Sequence, residues 1–306
     1  MPHFTPSTYV ISLTPFTADG KLDESGLRGH YRRLAAAGIG VYVTGSGSGE
    51  GYTLSDGEIR RILEIAKEEL QGKVPVRAMG REPRTSGEMI AFGKVVKEIG
   101  LDAMQIYSCD VGHGNQPNAR EMETYLRDVL DAVDIPVVPS IHQSVGYLYP
   151  VELMAKLIGE YKHIVGLNVS TGNIQYTAQI TEAVGAKVEI HTGGPGHALS
   201  TLALGGTGYL SSEGNLAPKL CVSLIEHYKA ERYQQAEEAY KQILSLWPVT
   251  YKYGSIRGTK AALSILGLPG GYPRKPRLPV PDEAIPEIAR KIEELKLREL
   301  EGLPAA

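Results

Sequence analysis

Eight short apolar runs, each followed by a Gly or polar turn and then an amphipathic stretch, most constrain the fold of this chain. The runs cover 8–14, 40–45, 74–79, 103–108, 135–140, 164–169, 187–192 and 207–212. Strands joined through helices pair in parallel by right-handed crossovers. Their near-continuous apolarity fits a sheet covered on both faces. A doubly wound open sheet is the structural competitor. Eight evenly spaced units, with no G-x-G-x-x-G turn after the first run, favour an α/β chain closed as a (β/α)8 TIM barrel.

The intervening patterns carry their own stops. The helix over 23–38 opens on Asp23 as N-cap and closes on Gly38. The helix over 54–70 has Ser55 three residues before Glu58, a capping-box spacing. Further helices are predicted over 87–99, 118–132, 150–161, 174–184 and 195–205. After the eighth run come helical patterns at 216–228, 232–247, 257–266 and 282–300, with a Pro/Gly-rich connection at 267–281. The expected organisation is a barrel over 1–228 and a C-terminal helical extension over 229–306 packed on it.

Composition narrows the classes. A net charge of −3 leaves no basic excess for nucleic acid or a membrane surface. No run of eighteen apolar residues occurs, so no membrane span is expected. The start shows no basic segment followed by an apolar one, and with only two cysteines the chain is no disulfide scaffold. The expected location is cytoplasmic.

In such a barrel the chemistry belongs at the carboxyl ends of the strands. Those positions carry Ser46, Gly47 and Ser48 after the second run, and Ser108, Cys109, Asp110 and His113 after the fourth. The fifth ends in Pro139, Ser140 and His142, and the sixth in Asn168. His191 and Gly193 close the seventh; Leu210, Ser212 and Glu213 close the eighth. Glycines and hydroxyls at 45–50 suit a carboxylate or phosphate, although Gly-Ser repeats also simply make tight turns. Glu50 is expected to tie its loop to neighbouring backbone.

At these residues the chain resembles the dihydrodipicolinate synthase/N-acetylneuraminate lyase superfamily of pyruvate-dependent class I aldolases. The resemblance runs through Leu13-Thr14-Pro15-Phe16 with Asp19-Gly20, the loop ending Gly49-Glu50, and Ile164-Val165-Gly166-Leu167. It continues through Gly193, Gly205-Gly206-Thr207-Gly208, Asn215-Leu216-Ala217-Pro218, Lys260-Ala261-Ala262-Leu263 and 273–279. It implies a lyase with no cofactor, assembled as a homodimer or homotetramer, acting on a small carboxylate or carbonyl compound. Its chemistry rests on a strand-6 lysine that forms an imine with pyruvate, a strand-5 tyrosine that relays protons, and two hydroxyls in the strand-2 loop.

The chain departs from that pattern. The lysine position falls on Asn168, whose carboxamide cannot form an imine. The tyrosine position falls at or near Pro139, and the arginine that usually follows falls near Ser144. The hydroxyl pair falls on Gly47 and Ser48, and the first loop glycine on Ser46. The nearest lysines, Lys156, Lys162 and Lys187, stand elsewhere.

The expected enzyme is therefore a lyase cleaving a carbon–carbon or carbon–oxygen bond without a Schiff base. His142, Asn168 and Ser48 form its catalytic set. Ser46, Gly47, Asp110, His113, His191, Gly193 and Leu210 are expected to bind substrate. Two alternatives stay open: a non-catalytic ligand-binding barrel, and a metal-dependent lyase using the pocket histidines, which can ligate a divalent ion although no compact ligand motif is present.

Overall fold

The computed structural model describes residues 4–304. Eight parallel strands follow one another in sequence order around a closed barrel, a (β/α)8 fold. They are β1 (Ser7–Ile11), β2 (Gly40–Val43), β3 (Val76–Ala78), β4 (Ala103–Ile106), β5 (Val137–His142), β6 (Gly166–Ser170), β7 (Glu189–Gly193) and β8 (Gly208–Ser211). The alternating helices are α1 (Glu24–Ala37), α2 (Asp56–Leu70), α3 (Ser86–Ile99), α4 (Ala119–Ala132), α5 (Val151–Glu160), α6 (Ile174–Val184), α7 (Ala198–Ala203) and α8 (Pro218–Lys229). Beyond them lie α9 (Tyr233–Leu244), α10 (Trp247–Thr250), α11 (Ile256–Ile265), α12 (Ile285–Glu294) and α13 (Leu297–Glu301).

The helix boundaries follow local chemistry. The Asp23 side chain accepts from the Gly26 N–H, and Gly38 adopts the left-handed conformation that closes α1. Ser55 and Glu58 satisfy each other's backbone N–H groups at the start of α2, as do Asn118 and Glu121 at α4. Two sequence expectations are corrected. The pattern over 232–247 breaks after Leu244, with Trp247 opening a separate short helix. The long final helix splits at Lys296, whose φ of 51° interrupts the hydrogen-bond ladder.

Contacts gather the chain into two compact units. One comprises residues 77–210 with the opening of β1 at Ser7; the other comprises 8–76 with everything from 211 onward. In the first, strand register sets which side chains share a face. Gln105 pairs with Val138, Ser140 with Asn168, Asn168 with His191, and Gly193 with Leu210. Register partners in parallel strands point the same way. The opposite face packs on helices: a Cβ at Gly93 of α3 would lie 3.2 Å from the Met104 sulfur. Gln105, Ser140, Asn168, His191 and Leu210 therefore face the barrel interior. No helix among the described residues is long and apolar enough to cross a membrane.

Candidate active site

Within residues 77–210 the interior of β4, β5 and β6 carries amides and a hydroxyl where a barrel core would ordinarily be aliphatic. Asn168 Nδ2 donates to Gln105 Oε1 at 2.9 Å, a bond that reaches from β6 past β5 to β4. All three polar residues are buried: Gln105 0 %, Ser140 0 % and Asn168 2 % exposed. Among the described residues, Gln105 Nε2, Ser140 Oγ and Asn168 Oδ1 find no hydrogen-bond partner. Buried polar atoms without partners are rare, because each keeps its desolvation cost with nothing to offset it.

The fifth strand alters one sequence expectation. Ser140, not Pro139, stands beside Asn168 in the interior; Pro139 lies one residue out of phase and faces the helices. A one-residue shift in a strand changes the face, and alternation could have resolved the ambiguity.

His142 ends β5. Its Nδ1 lies 2.5 Å from Ser144 Oγ and accepts from the Ser144 N–H at 3.3 Å. A ring nitrogen that accepts from a backbone N–H is unprotonated, so the neutral imidazole carries its proton on Nε2. Burial pushes the imidazole below its usual range, favouring that neutral form. In the sequence alone, Ser144 marks only the position near which the family's arginine falls.

Nearby, the β4–α4 loop is held by tyrosines. Tyr147 donates to the Cys109 carbonyl at 2.9 Å and Tyr125 to the Tyr107 carbonyl at 2.7 Å. Burial raises the Tyr147 phenol to about 12 and also raises the Cys109 thiol. Neither cysteine is in a disulfide, and both are buried.

The remaining residues expected in this half fall in three places. Asp110 is tied into its own loop, accepting from the Gly112 N–H at 2.8 Å and pairing with Arg84 at 2.8 Å. His113 is exposed on that loop with φ 53°. His191 lies in mid-strand, its Nε2 2.8 Å from Ser7 Oγ at the opening of β1, so it sits deeper than the strand ends and towards the amino side. Burial holds it neutral, well below the usual imidazole range. Gly193 closes against β6, where an added Cβ would meet Ser170 Oγ at 2.3 Å. Leu210 is buried. Among the described residues, no three His, Cys, Asp or Glu side chains gather to hold a metal ion.

In the other unit, the loop after β2 has a built frame. Ser46 and Ser48 are buried and Gly47 is exposed. At the loop's end Glu50, fully buried and at φ 51°, pairs with Lys260 of α11. Lys260 Nζ also donates to the Thr14 and Tyr272 carbonyls, both at 2.8 Å. Glu50 further accepts from the Arg274 N–H at 3.3 Å. Burial lowers the Lys260 amine to about 8. Glu50 thus ties its loop to the C-terminal helices as well as to backbone. Asn215 is a second tie: its Oδ1 accepts from the Leu13 N–H and from His30, and its Nδ2 donates to the Ile11 and Ser212 carbonyls.

Comparison with known proteins places this scaffold. The model of the Dihydrodipicolinate synthetase family matches residues 7–295. The chain is 30% identical over 293 residues to the 4-hydroxy-tetrahydrodipicolinate synthase of Methanopyrus kandleri, covering 95% of this chain and 94% of that one. It is 30% identical over 272 residues to the enzyme of that name from Bartonella henselae, covering 88% and 91%. Among solved structures it is similar to a putative dihydrodipicolinate synthetase from Pseudomonas aeruginosa, with TM-score 0.87, 25% identity, and 95% and 99% of the two chains covered. It also resembles in fold the dihydrodipicolinate synthase of Cyanidioschyzon merolae with lysine bound, with TM-score 0.88, 24% identity, and 96% and 99% covered. With its barrel, its Glu50 and Asn215 ties and a match spanning nearly its whole length, the chain belongs to the dihydrodipicolinate synthetase family.

Proposed function

We propose that this protein is a lyase of its family that acts on a small carboxylate- or carbonyl-bearing compound without forming a lysine imine. One observation carries the reading: the interior residue of β6, in Gly166-Leu167-Asn168-Val169, is a buried carboxamide, and β6 contains no lysine. An amide nitrogen whose lone pair is delocalised into its carbonyl is no nucleophile, so the residue can orient a substrate but cannot condense with it. Relatives named 4-hydroxy-tetrahydrodipicolinate synthase support a lyase of this family.

The proton would be moved by His142. Its Nδ1 accepts from the Ser144 hydroxyl across 2.5 Å, so that as Ser144 Oγ takes a proton from the substrate its own proton passes to Nδ1. The neutral ring near pH 7 serves as the base, and the imidazolium it becomes returns the proton as the acid. Asn168 orients the reacting group by hydrogen bonds. Asp110 is a loop-shaping residue in this proposal. A homodimer or homotetramer is the proposed assembly.

Treatment of the wild-type protein with pyruvate and borohydride is expected to leave its mass unchanged. Retro-aldol or hydratase turnover across a panel of small carbonyl acids is expected to fall by about 100-fold or more in His142→Ala. A reduced pyruvyl adduct on wild-type protein, or full turnover in that variant, would overturn the assignment.

A further inference from the structure

Three unpartnered polar atoms on the interior face of β4–β6 specify more than the absence of an imine. The Asn168–Gln105 pair spends one N–H and one carbonyl on its shared bond. What is left without any partner is one amide nitrogen, Gln105 Nε2, and one amide oxygen, Asn168 Oδ1. Rotating both carboxamides end over end exchanges which residue supplies which, but the unpartnered remainder stays one donor nitrogen and one acceptor oxygen. Ser140 Oγ, on the strand between them and register partner of Asn168, is likewise without a partner among the described residues. All three side chains are more than nine-tenths buried.

We propose that this cluster seats a hydroxyl-bearing carbon, so that the ligand is a short 2-hydroxy acid rather than a 2-oxo acid. The proposal rests on the reading of this face as the substrate site. A 2-oxo acid anion offers acceptors only: its keto oxygen and carboxylate oxygens can take the Gln105 N–H and the Ser140 hydroxyl proton, but nothing in it donates to the leftover carbonyl. A C2 hydroxyl accepts from the amide N–H and donates to the amide carbonyl at one oxygen. The carboxylate of the same molecule then accepts from Ser140. A site built to pair a hydroxyl discriminates strongly against an analogue that cannot donate, because its own buried carbonyl is left unpaired. An imine-forming lysine requires the opposite, an electrophilic sp2 carbon. Replacing it by an acceptor matches a change of the bound carbon to sp3.

Calorimetric titration with D- and L-glycerate, D- and L-lactate and pyruvate tests this at a fixed pH. At least one hydroxy acid is expected to bind ten-fold or more tightly than pyruvate, and Asn168→Leu is expected to lose that preference. Should the single variant fold poorly, Gln105→Leu/Asn168→Leu removes both amides together, leaves neither unpaired, and is expected to unfold cooperatively while binding none of the hydroxy acids. Pyruvate binding as tightly as the best hydroxy acid would overturn the inference and leave the lyase reading standing. Failure of all five ligands to bind would mean the cluster holds only water, and would overturn it too. A hydroxy-acid preference that survives in a folded variant would do the same. The lyase reading is judged separately, by the borohydride and turnover experiments.

Discussion

Asn168→Lys restores an amine at the position where the family resemblance calls for one, and the fold makes its effect calculable. The site is 2 % exposed, and the side chain already bonded there, Gln105, is neutral. A lysine amine starts at a pKa of about 10.4, and full burial without a counter-charge lowers it by roughly 3–5 units. With a folded value near 6.4, the variant unfolds to a form that binds about one more proton at pH 7. At about 1.36 kcal/mol per unit, burying the group costs roughly 4.5 kcal/mol at pH 7. The sign follows from the depressed folded value: the deficit is greatest below that value and shrinks as pH rises towards 10.4. At pH 9 it should be only about 2 kcal/mol. Urea unfolding of wild type and variant at both pH values measures the two deficits. Pyruvate with borohydride should now modify the variant, since much of its amine is unprotonated at neutral pH. Equal deficits at pH 7 and 9 would refute the reasoning, because an exposed or ion-paired lysine would show no such closing gap.

Three further outcomes follow from features away from that position. Lys260→Met should destabilise by about 3–5 kcal/mol in chemical denaturation by stranding the buried Glu50 carboxylate; adding Glu50→Gln should recover part of the loss, whereas Glu50→Gln alone should destabilise. Burial beside Arg33 lowers His30 to about 3, so stability should be complete above pH 6.5 and fall as pH drops below it, by about 2 kcal/mol at pH 5, and His30→Gln should flatten that slope. Gly208→Ala should cost about 2 kcal/mol or more in urea unfolding, because its Cβ would stand 1.8 Å from the Ser7 carbonyl oxygen.

The periodic parts of the architecture were legible because each rests on a local signal. All eight strands lie where apolar runs predict them, and Asp23, Gly38 and Ser55 bound their helices by contacts spanning only a few residues. The split at Lys296 was not legible, since the Lys/Glu-rich pattern continues through a residue whose left-handed backbone nothing in its type announces. At the site, Asn168 could be read from its sequence neighbours. Gln105 and Ser140 could not be joined to it, because their meeting depends on register across three strands. His191 lies at a position that alternation alone cannot rank by depth, and only the Ser7 contact shows it to be low in the barrel. The Lys260–Glu50 pair was invisible as a pair, although both residues belong to the motifs that carry the family resemblance.

That pair also imposes an order on biosynthesis. Lys260 bonds to the Thr14 carbonyl, 246 residues earlier in the chain, and to the carboxylate that ends the loop after β2. While the ribosome is still making the middle of the chain, Glu50 has no ammonium to meet and the Thr14 carbonyl lacks its Lys260 donor. A nascent chain stalled before residue 260 would carry its early strands without the ammonium that Glu50 and the Thr14 carbonyl meet in the finished molecule.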